Sequence, residues 1–210
     1  MSHSFSSSGR AASAAASSML IAAGRSTHVG FTGNVVLTKG FSPVAEEDAR
    51  VLVLGTLPGQ ISLRKGEYYG QSRNAFWRIV GDLFGIDPGL PYEERKRRLT
   101  AARVALWDVC EAAHRPGSQD ASIHLDSMEA NDFESFLKLH RQLKLICFNG
   151  AKAGDLFRRK VLPELSDRTK IPRFQTLPST SPANAAMPYL EKLSRWSVVR
   201  RECETDRPGR

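Results

Sequence analysis

Apolar and polar positions along the chain follow two periods, one typical of buried strands and the other typical of helices. Residues 51–54 (VLVL) form a continuous apolar run, which predicts a strand buried on both faces. Between residues 74 and 84 the apolar positions recur at helical spacing, so a helix is predicted there. Those apolar residues are Phe76, Ile79, Val80 and Leu83.

The same alternation continues towards the end of the chain. Further strands are predicted at residues 103–107, 144–148 and 174–177. Further helices are predicted at residues 132–143, 151–161 and 187–199. Strands that alternate with helices favour right-handed crossovers and an α/β fold, with a short, mainly parallel four-stranded sheet covered on both faces.

The composition divides the chain into one domain and two tails. Residues 35–201 hold the periodic segments and, with 41% apolar residues in a chain of 210, can bury one core. Residues 1–34 are rich in Ser and Ala and are expected to be a disordered tail, although an organelle targeting segment has a similar composition. Residues 202–210 are polar and are expected to be a flexible tail.

The excess of basic residues indicates an anionic partner. The formal net charge of +8 and the pI near 9.7 favour nucleic acid, with a basic surface that serves only solubility as the alternative. No apolar run approaches the roughly 20 residues that span a bilayer. We therefore expect a monomeric, cytoplasmic protein without membrane contact, associated with the nucleoid through DNA.

The cysteines and histidines do not form a metal-binding pattern. Cys110, Cys147 and Cys203 are odd in number and widely separated, which is typical of reduced thiols. The five histidines share no metal-ligand spacing with them. No metal, iron–sulfur cluster or other cofactor is expected.

The loops at the carboxyl ends of the strands are where a ligand is expected, because open parallel α/β sheets bind ligands there. The predicted loops are residues 55–73, 108–123, 149–152 and 178–186. In the first of them, Gly55, Pro58 and Gly59 allow a sharp turn and a close approach of ligand to backbone. That loop lacks the signatures of a nucleotide P-loop and of a dinucleotide fingerprint, so ATP and NAD sites are poorly supported.

Two tyrosines in the first loop offer flat faces for a nucleic acid base. Tyr68 and Tyr69 are suited to stacking, and the alternative is that both pack on the neighbouring helix. Gly70 leaves open space beside Tyr69, which favours stacking there. Phe76 begins the helix and is assigned to the same base pocket, with core packing as its alternative.

The last loop, LPSTSPANA at residues 177–185, consists almost entirely of small hydroxyl, proline and amide residues. Ser181, Pro182 and Asn184 are expected to contact DNA phosphates from a tight turn. A helix-capping turn is the alternative for this segment taken alone.

Four motifs in this order give the chain a specific resemblance. They are GTLPG (55–59), YYGQSRNAFW (68–77), NGAKA (149–153) and LPSTSPANA (177–185). Over residues 40–200 the chain resembles the uracil-DNA glycosylase superfamily, and within it the hypoxanthine-DNA glycosylase (DNA-deoxyinosine glycosylase) family. The resemblance implies a three-layer α/β/α sandwich and a monofunctional enzyme that flips a deaminated base out of DNA, hydrolyses its N-glycosidic bond and leaves an abasic site.

The same resemblance assigns residues to the base pocket. Tyr69 would stack on the extruded base, and the first motif would form the wall. That wall comprises Gly55, Thr56, Leu57, Pro58 and Gly59. Uracil-excising relatives usually carry Asp or Asn at the position of Leu57, where it helps to orient water. Leucine cannot hold water, so the resemblance favours hypoxanthine over uracil and requires another polar group for that work.

Three residues are candidates for the catalytic work. Asn74 matches an Asn on which the hypoxanthine family relies, and its alternative role is to cap the helix that follows it. Asp108 is a candidate general base or water-holding group, and its alternative role is that of a turn residue. Ser179 stands where the better-known uracil enzymes carry a catalytic His, and it can donate a hydrogen bond but cannot become a cation.

Basic residues in and after the predicted loops are expected to contact DNA phosphates. Lys65 and Arg73 lie in the first loop, and Lys152 follows the third strand. Residues 95–98 (RKRR) are expected to be a solvated helix face instead.

Other functions remain open at this point. The motifs also fit a mismatch-specific uracil-DNA glycosylase, and a small-molecule module of flavodoxin type would use the same strand ends. A non-catalytic DNA-binding protein would keep the basic loops. Turnover separates these readings, because only a glycosylase leaves abasic sites in DNA.

Overall fold

The structure is a computed structural model, and it describes residues 37–205. The strands of that range are β1 (Thr38–Lys39), β2 (Val51–Gly55), β3 (Val104–Asp108), β4 (Cys110–Ala113), β5 (Glu129–Ala130), β6 (Leu145–Asn149) and β7 (Arg173–Leu177). Its α-helices are α1 (Gln60–Lys65), α2 (Phe76–Phe84), α3 (Tyr92–Ala101), α4 (Phe133–Leu139), α5 (Ala151–Leu156) and α6 (Tyr189–Glu204).

The central sheet has four parallel strands in the order β3-β2-β6-β7. Every residue of β2, β3 and β6 is buried, whereas the edge strand β7 is mostly exposed. The four predicted strands are confirmed, and each of their ends lies within one residue of its predicted position.

Two cores lie on opposite faces of this sheet, because successive residues of a strand point to opposite sides. Leu52 and Leu54 belong to the core beneath α4 and α5. Val51 and Val53 belong to the core beneath α2 and α6. The predicted α/β/α sandwich is therefore confirmed, and burial on both faces explains why β2 appears in the sequence as an unbroken apolar run.

Short elements are missing from the sequence prediction. The predicted first loop contains α1, which ends at Gly66 in the left-handed conformation with φ of 67°. A second, antiparallel sheet has the order β1-β4-β5, and β1 and β5 have only two residues each. Two residues cannot display an alternating pattern, so the sequence carries no periodic signal for these strands.

Three helix ends also differ from the prediction. The helix predicted to reach residue 143 ends at Leu139, and His140 Nδ1 lies 2.8 Å from the Phe136 carbonyl oxygen as the chain turns towards β6. The helix predicted at 151–161 continues after α5 as a π-helical turn, Phe157–Val161. Helix α6 extends to Glu204, so residues 202–204, expected in a flexible tail, are helical, and Cys203 is buried.

Arg95 corrects the expectation of a solvated face at residues 95–98. Its side chain is buried, with the guanidinium 4.6 Å from the Trp77 ring centroid and 3.0 Å from a Glu67 carboxylate oxygen. Arg97 and Arg98 do stay exposed, where both pair with Glu94. The expected tail at residues 1–34 lies outside the described residues.

The carboxyl ends of the four parallel strands lie side by side along one edge of the sheet. Gly55 is in register with Asp108, and Asn149 is in register with Leu177. Because all four strands run the same way, the loops that follow them meet above this edge. Among residues 37–205, no helix is long and apolar enough to cross a membrane.

Candidate active site

A cavity of about 920 Å³ opens at this edge of the sheet. Its volume falls within the range of roughly 300–1,000 Å³ that is typical of ligand pockets. All four loops predicted from the sequence contribute to its lining. The predicted site residues that line it are Gly55, Thr56, Leu57, Pro58, Gly59, Tyr69, Asn74, Asp108, Ser179, Ser181, Pro182 and Asn184.

Tyr69 forms an aromatic wall of the cavity. Its ring stacks on Phe76 with centroids 4.0 Å apart and planes 22° apart, which covers one ring face and leaves the other for a ligand. Tyr69 has φ of 55°, a conformation that costs energy for a non-glycine residue. Phe76 is fully buried, so its assignment to the pocket lining is wrong: it supports Tyr69 from behind.

Tyr68 fulfils the core-packing alternative. It is only 3% exposed, and its hydroxyl donates to the backbone oxygens of Phe41 or Ser42 at 3.2 and 3.3 Å. Its own carbonyl accepts a hydrogen bond from Trp77 Nε1 at 2.9 Å. Of the two tyrosines, Tyr69 therefore offers the free ring face.

Asp108 stands on the floor of the cavity, at the end of β3, and is 4% exposed. Its carboxyl lies so close to the Gly55 backbone that a β carbon at Gly55 would overlap Oδ1. Burial raises the pKa of Asp108 to about 7, the negative charge of Asp120 adds to the shift, and Arg115 opposes it. Asp108 is thus a carboxyl whose protonation changes near neutral pH.

Three buried polar atoms beside the cavity have no hydrogen-bond partner within residues 37–205. They are the Tyr69 hydroxyl, Asp108 Oδ2 and Arg115 Nε, and we call them the open polar atoms. A buried polar group left without a partner costs roughly 1–3 kcal/mol, so folded proteins contain few of them. Tyr69 and Asp108 line the cavity, whereas Arg115 does not. The Asn149 side chain lies close enough to the Tyr69 hydroxyl to lower its pKa, so Asp108 Oδ2 is the lining atom that most needs a ligand or water as a partner.

Arg115 and Asp120, in the second loop, were missed by the sequence predictions. Arg115 is buried and donates to the carbonyl oxygens of Leu57, at 2.8 Å, and Pro58. Asp120 accepts from Thr56 Oγ1 at 2.5 Å and lies 3.9 Å from the Arg115 guanidinium. These bonds tie the second loop to the GTLPG turn. In the sequence, the only signal was a pair of opposite charges in a polar loop after a strand.

Leu57 brings no polar side chain to the cavity. Its side chain is 5% exposed and packs in the core beneath α4 and α5. The acidic residues of the cavity lining are Asp108 and Asp120 instead. Any chemistry that needs a carboxyl in this cavity therefore depends on the second loop.

The last loop is held by hydrogen bonds to its surroundings. Thr180 N donates to Asn149 Oδ1, and Asn149 Nδ2 donates to Thr180 Oγ1, both at 2.8 Å. The Thr180 carbonyl accepts from Ala75 N at 3.0 Å, which joins the loop to the start of α2. From α6, Trp196 Nε1 donates to the Pro178 carbonyl at 3.0 Å. The loop thus has its shape before any ligand binds.

The side chains predicted to contact DNA also serve this loop internally. Ser181 Oγ accepts from Ala183 N at 3.3 Å and caps the single turn Pro182–Asn184, which matches the capping alternative. Asn184 Nδ2 donates to the Ser179 carbonyl at 3.1 Å, and Ser179 Oγ accepts from Ser181 N at 3.2 Å. Both serine oxygens act as acceptors in these bonds, so neither bond uses the hydroxyl proton.

Asn74 is half-buried in the lining of the cavity. Its Oδ1 accepts from Phe76 N at 3.0 Å and so closes a turn just before α2, whose N-cap is Ala75. That bond engages the oxygen and not the Nδ2 group. The turn and contact with a ligand are therefore compatible at this residue.

The predicted phosphate-binding cations lie outside the lining. Lys65 and Arg73 are exposed, and Lys152 is half-buried. Burial raises the pKa of Asp120, whereas the Thr56 hydrogen bond and the charges of Arg115 and Lys152 oppose the shift. Lys152 is thus close enough to act on a carboxyl of the cavity.

The thiols and acidic groups do not suggest metal chemistry. Burial raises the pKa values of Cys110 and Cys147 to about 12, so these thiols stay protonated at neutral pH. In the part of the chain that the structure describes, no three His, Cys, Asp or Glu side chains are grouped so as to hold a metal ion.

Comparison with known proteins gives one consistent family. The sequence pattern of the Uracil DNA glycosylase superfamily matches residues 42–200. A hypoxanthine DNA glycosylase of Methanosarcina acetivorans is 38% identical over 165 residues, which cover 78% of this chain and 98% of the relative. A hypoxanthine DNA glycosylase of Methanosarcina barkeri is 38% identical over 134 residues, which cover 63% of this chain and 82% of the relative.

A solved structure supports the same family. The solution NMR structure of a provisionally assigned uracil DNA glycosylase from Methanosarcina acetivorans has a TM-score of 0.66 and 37% identity to this chain. The similarity covers 80% of this chain and 99% of the solved one. The matched residues 42–200 include all four parallel strands and every loop that lines the cavity. The chain therefore belongs to the uracil DNA glycosylase superfamily.

Proposed function

We propose that this protein is a monofunctional DNA glycosylase that removes hypoxanthine from deoxyinosine in DNA and leaves an abasic site. The observation that carries the proposal is the cavity, in which the motifs of the superfamily surround an aromatic wall and the open polar atoms. The choice of base rests on the names of the relatives at 38% identity.

Tyr69 receives the extruded base in this proposal. A flat ring stacked on a base contributes roughly 1–3 kcal/mol in nucleic acid complexes. The stack of Tyr69 on Phe76 holds the ring in place before the base arrives, so little side-chain entropy is lost on binding. Flipping a base costs a few kcal/mol, and least for a poorly paired base, which favours a deaminated purine over a normal one.

The chemistry divides between the floor and the mouth of the cavity. Breaking an N-glycosidic bond develops negative charge on the base and positive charge on the sugar. A base that enters first reaches Asp108 on the floor, while its sugar stays nearer to Asn74. In this arrangement the Asn74 amide orients the attacking water beside the sugar, and the Ser179 hydroxyl donates a hydrogen bond to a neighbouring oxygen.

The phosphates on either side of the flipped nucleotide would lie against the basic and hydroxyl-rich surface. Arg73 directly precedes Asn74, and Lys152 lies close to Asp120, so both cations are near the cavity. With Lys65, they would neutralise phosphates without reading sequence. Ser181, Pro182 and Asn184 would hold the adjoining strand on the other side.

The test uses otherwise identical duplexes with one deoxyinosine or one deoxyuridine. The protein is incubated with each duplex, abasic sites are cleaved with alkali, and strand breaks are counted. We expect breaks at deoxyinosine and few at deoxyuridine. Asn74→Ala should remove the breaks while duplex binding is retained, and Glu111→Gln, at an exposed residue of β4 outside the lining, should leave them unchanged.

Two other outcomes would redirect the proposal. Breaks mainly at deoxyuridine would favour uracil excision, the activity for which the NMR structure is named, and would reject hypoxanthine as the substrate. Binding without breaks on either duplex would favour a non-catalytic DNA-binding protein of the same fold.

A further inference from the structure

The Asp108 carboxyl is fixed in the lining of the cavity, where it is almost fully buried. Its backbone carbonyl accepts a hydrogen bond from Asn131 Nδ2 at 2.8 Å, which holds the end of β3 in position. The side chain lies against Gly55, and its Oδ2 is an open polar atom. Asp108 therefore faces the cavity with hydrogen-bonding capacity that the fold does not use.

Among residues 37–205, only Arg115 partly compensates a negative charge on Asp108. Asp120 adds a like charge, and Arg115 uses its terminal nitrogens for the carbonyl oxygens of Leu57 and Pro58. The other titratable neighbours are the phenols of Tyr68 and Tyr69 and the thiol of Cys110. Burial raises the pKa values of these three groups, so they are neutral as well.

We propose that Asp108 acts in its protonated form, as the acid that donates a hydrogen bond to the extruded base and then protonates it as it leaves. This inference rests on the proposed glycosylase function and assigns a direction to the proton transfer. It replaces the expectation that Asp108 is a general base. The raised pKa of Asp108, about 7, is consistent with a carboxyl that remains protonated in a neutral cell for much of the time.

The step balances as a simple hydrolysis. The C1′–N bond breaks, and its electron pair goes to the base. The Asp108 carboxyl proton goes to a ring nitrogen of the departing base, which leaves as neutral hypoxanthine. Water adds its oxygen to C1′ and releases one proton, and Asp108 is reprotonated from water before the next turnover.

Position favours this acid role over the role of a base for water. Negative charge develops on the base, and Asp108, at 4% exposed, lies deeper in the lining than the half-buried Asn74. In the proposed arrangement the base enters towards Asp108 and the sugar carbon that water attacks stays nearer to Asn74. A carboxylate facing the departing anion would repel it, whereas a protonated carboxyl stabilises it.

The pH dependence of kcat/KM on a deoxyinosine duplex separates the two roles. An acid must be protonated, so kcat/KM is expected to fall about tenfold per pH unit above the pKa of Asp108, near neutral pH. Asp108→Asn keeps a donor of the same shape but cannot titrate, so this limb should disappear while KM changes little. Glu111→Gln should keep the wild-type profile.

A second variant, at the neighbouring Asp120, tests whether the fall in kcat/KM at high pH belongs to Asp108. Asp120→Asn removes the like charge that helps to raise the pKa of Asp108, so the fall in kcat/KM should begin at lower pH than in wild type. If kcat/KM instead rises with pH, and this rise is absent in Asp108→Asn, the acid role is wrong and Asp108 acts as a general base. A falling limb that persists in Asp108→Asn would also overturn the acid role.

The proposed function and this inference fail in different ways. Absence of abasic sites at every pH on every duplex would reject the glycosylase and the inference together. Abundant abasic sites with the wrong pH limb would reject only the acid role of Asp108.

Discussion

The two sides of the cavity treat their polar groups in opposite ways. In the last loop, Thr180 is hydrogen-bonded through its amide, hydroxyl and carbonyl groups, and the Pro178 carbonyl is bonded as well. Elsewhere in the lining, the Tyr69 hydroxyl and Asp108 Oδ2 have no hydrogen bond of this kind, and neither does Arg115 Nε, which lies outside the lining. The last loop is a preformed scaffold, and Tyr69 and Asp108 carry the groups that a substrate completes.

This contrast has an energetic consequence. Hydrogen bonds already made in the last loop stabilise the fold but cannot be offered to a ligand. The open polar atoms cost stability in the free protein and regain it on binding. Mutations in the last loop should therefore lower the stability of the fold, and mutations around Tyr69 and Asp108 should lower catalysis.

The largest expected effect is the removal of the Asp108 charge. The pKa of Asp108 is raised by burial from 3.8 to about 7, so the folded protein keeps a proton that the unfolded chain releases between these values. The contribution of this protonated carboxyl to wild-type stability is fully present below the lower value and is lost as pH rises to the upper one. Relative to wild type, Asp108→Asn should gain up to about 4 kcal/mol in free energy of unfolding across this interval.

Urea unfolding at the two ends of that pH interval measures this gain. Glu111→Gln, at an exposed residue, serves as the control and should show a constant difference from wild type. If the difference in free energy of unfolding between Asp108→Asn and wild type is also the same at both pH values, the carboxyl is solvated or paired in solution. The contrast between the two sides would then be lost.

Gly55→Ala should lower catalysis more than it lowers the free energy of unfolding. The added methyl would overlap Asp108 Oδ1 and come within 3.4 Å of the Tyr69 hydroxyl, so both groups must shift. Gly55 is not among the residues with positive φ, so the effect is steric and not one of backbone strain. We expect a loss of roughly a hundredfold in kcat/KM on deoxyinosine DNA, since misplaced catalytic groups typically cost this much. Single-turnover kinetics at full activity would refute the close fit at Gly55.

The sequence predicted the framework of this site because parallel strands bring distant segments to one edge. Unbroken apolar runs identified the strands, and the polar residues at their ends were then expected to meet. Gly55, Tyr69, Asn74 and Asp108 were found in this way. The resemblance added their roles but could not indicate which polar atoms the fold leaves open.

What the sequence could not predict depends on partners far along the chain. Asn149 and Thr180 are 31 residues apart, and their mutual bonds are visible only once β6 and β7 lie side by side. Arg115 meets Leu57 across 58 residues for the same reason. Phe76 was assigned to the pocket because helix periodicity does not distinguish a residue that lines a cavity from one that supports its wall.

Asn149→Ala should destabilise the last loop and with it the fold. It removes two buried hydrogen bonds and leaves the Thr180 amide without its partner, so we expect a loss of about 2 kcal/mol in free energy of unfolding. Asn184→Ala, at a half-buried residue with one weaker bond to Ser179, should cost less than about 1 kcal/mol. Chemical unfolding of both variants at one pH provides the comparison, and equal losses would contradict the scaffold role of Asn149.

The smallest expected effect belongs to the cations outside the cavity. Arg73→Gln should weaken duplex binding a few-fold and reduce the slope of log Kd against log salt by about one. Arg98→Gln, on α3 and paired with Glu94, should leave the slope unchanged. Fluorescence anisotropy over a salt series measures both, and a slope that Arg73→Gln does not change would exclude this residue from the DNA contact.

Release of free hypoxanthine from a deoxyinosine duplex shows whether the protein excises this base and whether Asp108 takes part. Wild-type protein and Asp108→Ala are each mixed with the duplex in a single turnover, and the released base is measured by chromatography while binding is followed in parallel. We expect one hypoxanthine per duplex for wild type and a loss of roughly 10²–10⁴ in rate for the variant, with binding retained. No release by wild type, or equal release by both proteins, would contradict this expectation.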